Sequence, residues 1–152
     1  MTEFDINFGP WINYGNSDKE IKIGEQMDEL TSMSWSPFNG CSYAQVFIFC
    51  MSYAFAKGRP PVRLPKKSSG SMPASAFNKN MRDFMKVIAI THTKDLTMIT
   101  KPNEVVKICQ EYAYASFLEV YNRIKNRKST ISNEMILSSF IEEIESKRTA
   151  SS

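Results

Sequence analysis

The side chains that could carry out chemistry are few, and the single histidine comes first among them. Nucleophilic catalysis of the serine or cysteine type needs a base to take up a proton, and His92 is the only imidazole in the chain. Its neighbours Thr91 and Thr93 place it at a predicted helix end, where a lone histidine usually caps the helix or faces solvent. We therefore predict a protein that is not an enzyme.

Cysteine and glycine spacings also bear on chemistry. Cys41, Cys50 and Cys109 are far apart and odd in number, which fits neither a metal pair nor a disulfide framework. We expect buried free thiols at Cys50 and Cys109. Gly58 and Gly70 are too far apart to form a glycine-rich phosphate loop. The sequence therefore predicts no metal, no cofactor and no small-molecule substrate.

Positive charge is the chemical feature that remains. The chain has 152 residues, with 19 Lys and Arg against 16 Asp and Glu, and a net charge of +3 is too small to indicate a nucleic-acid partner by itself. Its distribution says more. Residues 57–70 read K-G-R-P-P-V-R-L-P-K-K-S-S-G, with five positive charges, no negative charge and three prolines. This composition predicts a stiff, exposed loop whose cations can neutralise phosphates with little ordering cost.

Two clusters of cations are the candidate nucleic-acid-binding residues. The first lies in this loop and consists of Lys57, Arg59, Arg63, Lys66 and Lys67. The second ends the longest predicted helix and consists of Arg123, Lys125, Arg127 and Lys128. The helix macrodipole already favours cations at a helix C-terminus, so an ordinary solvated helix end is the alternative for the second cluster. If folding brings the clusters together, they form a patch the size of a groove, and nothing in them specifies a base sequence.

The periodicity of apolar residues predicts the helices that position these charges. The patterns favour helices over about residues 17–32, 42–57, 78–92 and 104–126, and from Ser132 or Asn133 onwards. Segment 42–57 is apolar on nearly every side, as in a central buried helix, although Val46 to Phe49 leave a strand open. Gly58 and the following prolines end it. The predicted fold class is mainly α: a compact helical bundle of four to five helices with an extended N-terminal arm.

Several local expectations follow from the same patterns. Ser17 or Asp18 is expected to cap the first helix, and Asn103 the helix that follows Pro102. Phe84 and Ile141 fall on the faces expected to point inward. Residues 96–99 are expected to form a short turn or extended piece.

The N-terminal arm alternates apolar and polar residues and turns at Gly15. We expect its aromatic side chains to pack back on the core, and the alternative is an exposed partner-binding arm that uses Phe4, Phe8 and Trp11. The predicted organisation is an extended aromatic arm at residues 1–16, a single helical domain at 17–147 and a flexible tail at 148–152.

Targeting signals are not evident in the sequence. Residues 1–16 carry Glu3 and Asp5 and lack a basic region followed by an apolar run, so they do not resemble a signal peptide. The longest apolar stretch covers about 13 residues, whereas a bilayer span needs about 20. We therefore expect a cytoplasmic protein with no membrane partner.

Three segments resemble small proteins associated with DNA phosphorothioation (DNA sulfur modification) gene clusters. The first is the apolar segment 42–56 that leads into Lys57-Gly58-Arg59-Pro60. The second is segment 83–94 with Val87-Ile88-Ala89-Ile90-Thr91, and the third is Glu111-Tyr112-Ala113. The similarity covers about residues 42–126. The aromatic arm and the Ser-rich stretch 68–75 depart from the family pattern, and no catalytic residue is carried over.

The resemblance implies an accessory component of a prokaryotic defence system that marks its own DNA with sulfur and restricts unmarked DNA. Larger protein subunits would carry the sulfur transfer and the ATP hydrolysis, and this chain would assemble with them and contact DNA. The alternative is a protein-interaction module, such as a helical small subunit of a CRISPR effector or a phage-encoded binder. The residues leave open the choice between DNA and RNA.

Overall fold

The computed structural model describes residues 11–17 and 22–150, with side chains described as far as residue 146. Two short strands, five α-helices and two 3-10 turns follow one another in this part of the chain. The strands are β1 (Trp11–Asn13) and β2 (Ser71–Pro73). The α-helices are α1 (Ile23–Ser32), α2 (Tyr43–Ala56), α3 (Lys79–Thr93), α4 (Pro102–Lys125) and α5 (Asn133–Ala150), and the 3-10 turns are Ala74–Ala76 and Leu96–Thr100. The predicted mainly α fold class is confirmed.

Helix α2 lies at the centre of the core. Its first turn is closed by a capping box, in which the Gln45 amide donates to Ser42 Oγ (3.2 Å) and the Ser42 amide donates to Gln45 Oε1 (2.8 Å). Its fully buried residues occupy one half of the helix circumference, whereas Gln45 on the other half is exposed and Ile48, Ser52 and Phe55 are half-buried. The fully buried residues are Ala44, Val46, Phe47, Cys50, Met51, Tyr53 and Ala54. The helix ends before Gly58, whose φ of 72° lies in the left-handed region that glycine adopts without strain. Segment 42–57 is therefore a helix and not a strand.

Helix α4 is the main partner of α2. Small side chains at the contact allow the two backbones to approach, and Ser116 Oγ donates a 2.5 Å hydrogen bond to the Cys50 carbonyl of α2. Ser116 is fully buried, so this bond satisfies a hydroxyl that would otherwise be unpaired in the core. Phe117, Val120 and Ile124 continue the buried face towards the C-terminal end of α4.

The remaining helices cover the other sides of the core. Asn78 caps α3 by accepting from the Met81 amide (2.9 Å), and Lys94 ends it in the left-handed conformation. Ser132 Oγ accepts from the Met135 amide (3.1 Å) at the start of α5. The fully buried Phe140 joins α5 to α2 through an edge-to-face contact with Tyr53.

An antiparallel ribbon, which the sequence patterns did not predict, fixes the N-terminal segment. Strand β1 pairs with β2 in the register Trp11 to Pro73, Ile12 to Met72 and Asn13 to Ser71. Ile12 and Met72 point into the core, whereas Trp11 is 60% exposed, so the expectation that the aromatic side chains of the arm pack back on the core is wrong for Trp11. Phe4 and Phe8 lie outside the described residues.

Several local predictions need correction. Helix α1 begins at Ile23, so Ser17 is not its cap, and Asp18 lies outside the described residues; instead, Asn16 Oδ1 accepts from the Gly24 amide (2.8 Å). Helix α4 begins at Pro102, which places Asn103 inside its first turn. For residues 96–99 the short turn, one of the two predicted alternatives, is confirmed as a 3-10 turn over Leu96–Thr100.

Two side chains predicted to point inward are partly exposed. Phe84 of α3 and Ile141 of α5 expose about half of their surface, because the contact faces of both helices are narrower than their apolar stripes. Helix α5 extends to Ala150. In the described part of the chain, no helix combines the length and hydrophobicity needed to cross a bilayer.

Phe140→Ala should destabilise the fold more than any change on the outer face of α5. Removal of a fully buried phenylalanine that contacts Phe49 and Tyr53 should lower the free energy of unfolding by about 3–5 kcal/mol. Ile141→Ala, at the adjacent exposed position, is the matched control and should change it by less than about 1 kcal/mol. Urea unfolding followed by circular dichroism measures both. Equal losses would show that α5 does not dock through Phe140.

Candidate nucleic-acid interface

The basic loop, defined as residues 57–70, crosses the surface between α2 and β2 and is fastened along its length. Four backbone hydrogen bonds of 2.8–3.0 Å hold it: Arg59 to Ala54, Val62 to Glu111, Ser69 to Asn16, and Tyr14 to Gly70. The first bond ties the loop to α2, the second to the middle of α4 and the last two to the N-terminal segment. Together with the three prolines, these bonds fix the path of the loop.

Asn13 connects the basic loop, the ribbon and α4, and the sequence patterns did not identify it. Its side-chain amide donates to Ser68 Oγ (2.7 Å), and its backbone amide donates to Gln110 Oε1 of α4 (2.7 Å). Its Oδ1 accepts from the Gly15 amide (2.8 Å), which closes the turn after β1. An asparagine two residues before a glycine does suggest this turn, but nothing local suggests the bond to Ser68.

Gly70 ends the basic loop at a point of close approach. A Cβ atom at this position would lie 2.3 Å from the ring of Tyr14. Such a contact is far shorter than van der Waals packing allows, so only glycine lets the loop lie against the N-terminal segment. In the sequence, Gly70 was considered as part of a phosphate-binding loop. In the structure, it allows the basic loop to pack against Tyr14.

The first two cations of the loop are paired with carboxylates from distant parts of the chain. Lys57 Nζ lies 3.5 Å from Glu143 of α5, and only 19% of the lysine side chain is exposed. Arg59 Nη2 lies 3.1 Å from Glu119 of α4. Neither carboxylate has a local sequence signal that marks it as a partner of the loop. These two cations therefore help to hold the start of the loop.

Tyr53 links these pairs to the second cluster of cations. Its hydroxyl donates to Glu119 Oε2 (3.0 Å) and accepts from Arg123 Nη1 (2.9 Å). Burial, and then the hydrogen bond to Glu119, raise the pKa of Tyr53 to about 12, so the hydroxyl keeps its proton at neutral pH. Arg123 Nη2 also lies 2.7 Å from Glu143. Lys57, Arg59 and Arg123 thus share two carboxylates.

The rest of the second cluster points to other parts of the molecule. Lys125 Nζ lies 2.9 Å from Glu29 of α1, and its hydrogen bonds to Tyr121 and Glu29 raise the pKa of the lysine. Arg127 donates to the Trp35 carbonyl (2.7 Å) and to Asn133 Oδ1 (2.6 Å). These cations fasten the C-terminal end of α4 to α1, to the loop after it, and to the start of α5.

Arg63, Lys66 and Lys67 differ from the other loop cations. All three are exposed, and within residues 11–17 and 22–150 none of them forms an ion pair. Lys128, the last residue of the second cluster, is likewise exposed and forms no ion pair among the described residues. The structure therefore brings Arg123 close to Lys57 and Arg59, because all three pair with Glu119 or Glu143. The other three cations of the loop are open to solvent.

The histidine and the two buried cysteines considered for catalysis contact neighbouring side chains or lie in the core. His92 lies at the C-terminal end of α3, where its Nδ1 is 2.9 Å from the Tyr112 hydroxyl and its ring meets Tyr112 edge to face. Cys50 and Cys109 are buried free thiols, as predicted, and burial raises the pKa of both. In the described ranges, no group of three or more His, Cys, Asp or Glu residues is arranged to hold a metal ion.

Comparison with protein families identifies the relatives of this chain. The family described as DNA sulphur modification system-associated protein 4 matches residues 20–152. The chain belongs to this family. The match includes the basic loop and all five helices, and it extends beyond the segment 42–126 that carried the resemblance. No curated protein and no solved structure shows significant similarity to the chain.

Gly70→Ala should loosen the basic loop. The added methyl group must displace the Tyr14 ring, which should lower the free energy of unfolding by about 1–3 kcal/mol. Replacing Tyr14 by Leu in the same protein should recover part of this loss, because the two sites share the contact. Chemical unfolding of the single and double variants measures the coupling.

Gly40→Ala is the control for this substitution. Gly40 has a φ of 89°, and a Cβ there would meet nothing within 4 Å, so its cost is that of backbone strain alone, about 1 kcal/mol. Tyr14→Leu should not relieve the cost at Gly40. A Gly70→Ala variant as stable as the parent protein would contradict the proposed close packing.

Proposed function

We propose that the chain is a non-catalytic accessory subunit of a DNA sulphur modification system, and that its basic loop contacts the backbone of nucleic acid. The observation that supports this most directly is the group Arg63, Lys66 and Lys67. These three exposed cations have no ion pair among the described residues and lie on a loop fixed by four backbone hydrogen bonds. A polyanion can meet them without ordering the loop, so little binding energy is lost to entropy.

The other candidate cations, except Lys128, have partners within the fold. The charges of Lys57, Arg59 and Arg123 are already balanced in large part by Glu119 and Glu143. Lys125 and Arg127 likewise have partners within the fold. We assign these five residues to positioning the loop and the helix ends. They add to the positive potential around the loop but need not touch a phosphate.

The proposed contact is independent of base sequence. Lysine and arginine side chains on a loop reach phosphates, whereas sequence readout needs hydrogen-bonding groups placed against base edges in a groove. Sulphur transfer and nucleotide hydrolysis are assigned to larger partner subunits, and no chemistry is assigned to His92. The chain would thus help to place such partners on nucleic acid.

Lys66→Ser combined with Lys67→Ser should weaken binding to nucleic acid and reduce its dependence on salt. Every phosphate that is no longer neutralised should lower the slope of log K against log salt by about 0.9 for a duplex, so the slope of the double variant should fall by about 2. Adding Arg63→Ser should lower it further. Fluorescence anisotropy with labelled duplex DNA over a range of salt concentrations measures the slope.

Lys94→Ser combined with Lys101→Ser is the charge-matched control. Both lysines are exposed and lie at the junction of α3 and α4, outside the basic loop. This variant should retain the parent slope, apart from a small effect of net charge. Equal decreases in the two double variants would leave only non-specific attraction, and unchanged binding by the loop variant would remove the loop from the proposal.

Assembly with a larger protein subunit is the second part of the proposed function. The observation that favours it is a set of exposed apolar side chains in and after α3: Phe84 (43% exposed), Val87 (59%), Leu96 (76%) and Ile99 (49%). Phe84 and Val87 are three residues apart on α3, and Leu96 and Ile99 are three apart on the 3-10 turn. Each pair therefore presents apolar surface on one side of its element, as protein interfaces often do.

Val87→Ser combined with Leu96→Ser should reduce capture of a larger subunit encoded in the same gene cluster, while the fold is retained. Most of both side chains is exposed, so the loss of buried apolar surface within the chain is small. Met135→Ser with Ile141→Ser, two exposed residues of α5, is the control. Co-purification of the tagged chain with its partner measures the effect. Parent-like capture by the first variant would exclude this surface.

A test of the aromatic arm requires a truncation that spares β1. Ile12 is fully buried and β1 pairs with β2, so removal of residues 1–15 would also remove part of the core. A truncation that ends before Trp11 tests Phe4 and Phe8 as partner-binding residues without this loss. Retained assembly would then exclude these two residues as contacts.

A further inference from the structure

The outer face of the β1–β2 ribbon carries an exposed tryptophan. Residues along both strands alternate between the core and solvent, with Ile12, Gly70 and Met72 buried and Trp11, Ser71 and Pro73 outside. Trp11 exposes 60% of its surface, although the residue beside it is completely buried. The ladder between the strands therefore fixes the backbone of Trp11, and the indole ring stands on a rigid base.

The register of the ribbon places this ring at the far end of β2, on the segment that continues from the exposed cations of the basic loop. Trp11 pairs with Pro73, and the same strand leads back through Ser71 to Ser69, which bonds to Asn16. At about 3.4 Å per residue, the four residues from Ser69 to Pro73 span roughly 14 Å. Lys67 lies two residues before Ser69. Lys67, Ser69, Ser71 and Pro73 are all exposed, so exposed residues connect the lysines to the indole along this segment, which we call the strip.

The polar residues between them suit the same ligand. Ser69 and Ser71 are exposed on this strip, and a short serine side chain can donate to a phosphate or a sugar oxygen without blocking the path of a chain. Asn13 holds Ser68 in place at 2.7 Å, so the strip keeps its shape at the point where the loop meets the ribbon. An indole face, hydroxyl groups and cations follow one another along a fixed ribbon.

We propose that the basic loop and the ribbon form a binding site for single-stranded nucleic acid, in which an unpaired base stacks on Trp11 and phosphates a few nucleotides further along the strand lie against Lys66 and Lys67. This inference rests on the proposed function of the loop and names its substrate class. Bases in a duplex are stacked on each other and cannot offer a free face to an indole. Aromatic side chains beside a cationic path are the features by which proteins hold single strands without regard to sequence.

Trp11 lies before residue 20, where the family match begins. The proposed site therefore joins a loop inside the matched region to a side chain outside it, and the prediction concerns this chain in particular.

Binding measurements with Trp11→Ala test the proposal. The probes are a labelled oligothymidylate of about 12 nucleotides, within the roughly 4–16 nucleotides that one small binding surface covers, and a duplex of the same length. Loss of one base stack should weaken binding of the single strand by roughly 5- to 100-fold. Binding of the duplex should stay as in the parent protein. Trp11→Phe, which keeps an aromatic face, should retain most of the affinity.

Fluorescence gives a second readout. The chain has two tryptophans, so Trp35→Phe leaves Trp11 as the only indole. Addition of the oligothymidylate should quench its emission, whereas addition of the duplex should not. Circular dichroism of each variant checks that the helices are intact.

The outcomes separate the two proposals. If Trp11→Ala binds the single strand as tightly as the parent while the Lys66 and Lys67 double variant binds both probes weakly, the stacking site is excluded and the loop contact stands. If the double variant binds both probes like the parent, the proposed function of the loop fails and the single-strand site fails with it. If Trp11→Ala keeps its affinity for the single strand but no longer captures a larger subunit, Trp11 belongs to a protein interface and the single-strand proposal is overturned.

Discussion

The need to cover an almost wholly apolar helix is the constraint on which the rest of the structure depends. Helix α2 has little polar surface to give to solvent, so α4, α5, α1 and neighbouring loop residues bury one half of it and partly cover the other. The chain can leave this enclosure only where the helix ends. Gly58 turns it outward there, and the prolines that follow prevent further helix, so the basic loop emerges at the surface as a consequence of the core.

The sequence predicted the helices because their signals are local. The apolar run of α2, the Asn78 cap of α3 and the Ser132 cap of α5 each lie within a few residues of what they specify. For the ribbon, alternation in the N-terminal arm predicted an extended segment, but β2 has only three residues and the paired positions are about sixty residues apart, so the pairing has no local signal. Phe84 was misplaced for a related reason: periodicity identifies an apolar stripe, but only the packed neighbours determine how much of it is covered.

In the candidate site, too, features set by neighbouring residues could be predicted, and features set by distant residues could not. Composition alone identified the loop as basic, stiff and exposed. Which of its cations are open to a ligand depends on carboxylates from far along the chain, because Arg59 meets Glu119 across 60 residues and Lys57 meets Glu143 across 86. The same holds for Lys125, which meets Glu29 across 96 residues. A count of charges in a window cannot separate cations that hold the fold from cations that face outward.

The fixed backbone of the basic loop distinguishes its exposed cations from lysines on a mobile segment. Lysines on a mobile segment would attract a polyanion equally well at long range, but each contact would require ordering of the side chain and of the backbone beneath it. Here, the backbone is fixed in advance by α2, α4 and the N-terminal segment, and Asn13 locks the place where loop and ribbon meet. The paired cations at the start of the loop belong to the same arrangement, since they attach it to α4 and α5 through Glu119 and Glu143. The long-range polar contacts of Asn13, Lys57 and Arg59 therefore have one common effect, which is to hold the backbone that carries Arg63, Lys66 and Lys67 in a fixed position relative to the helical core.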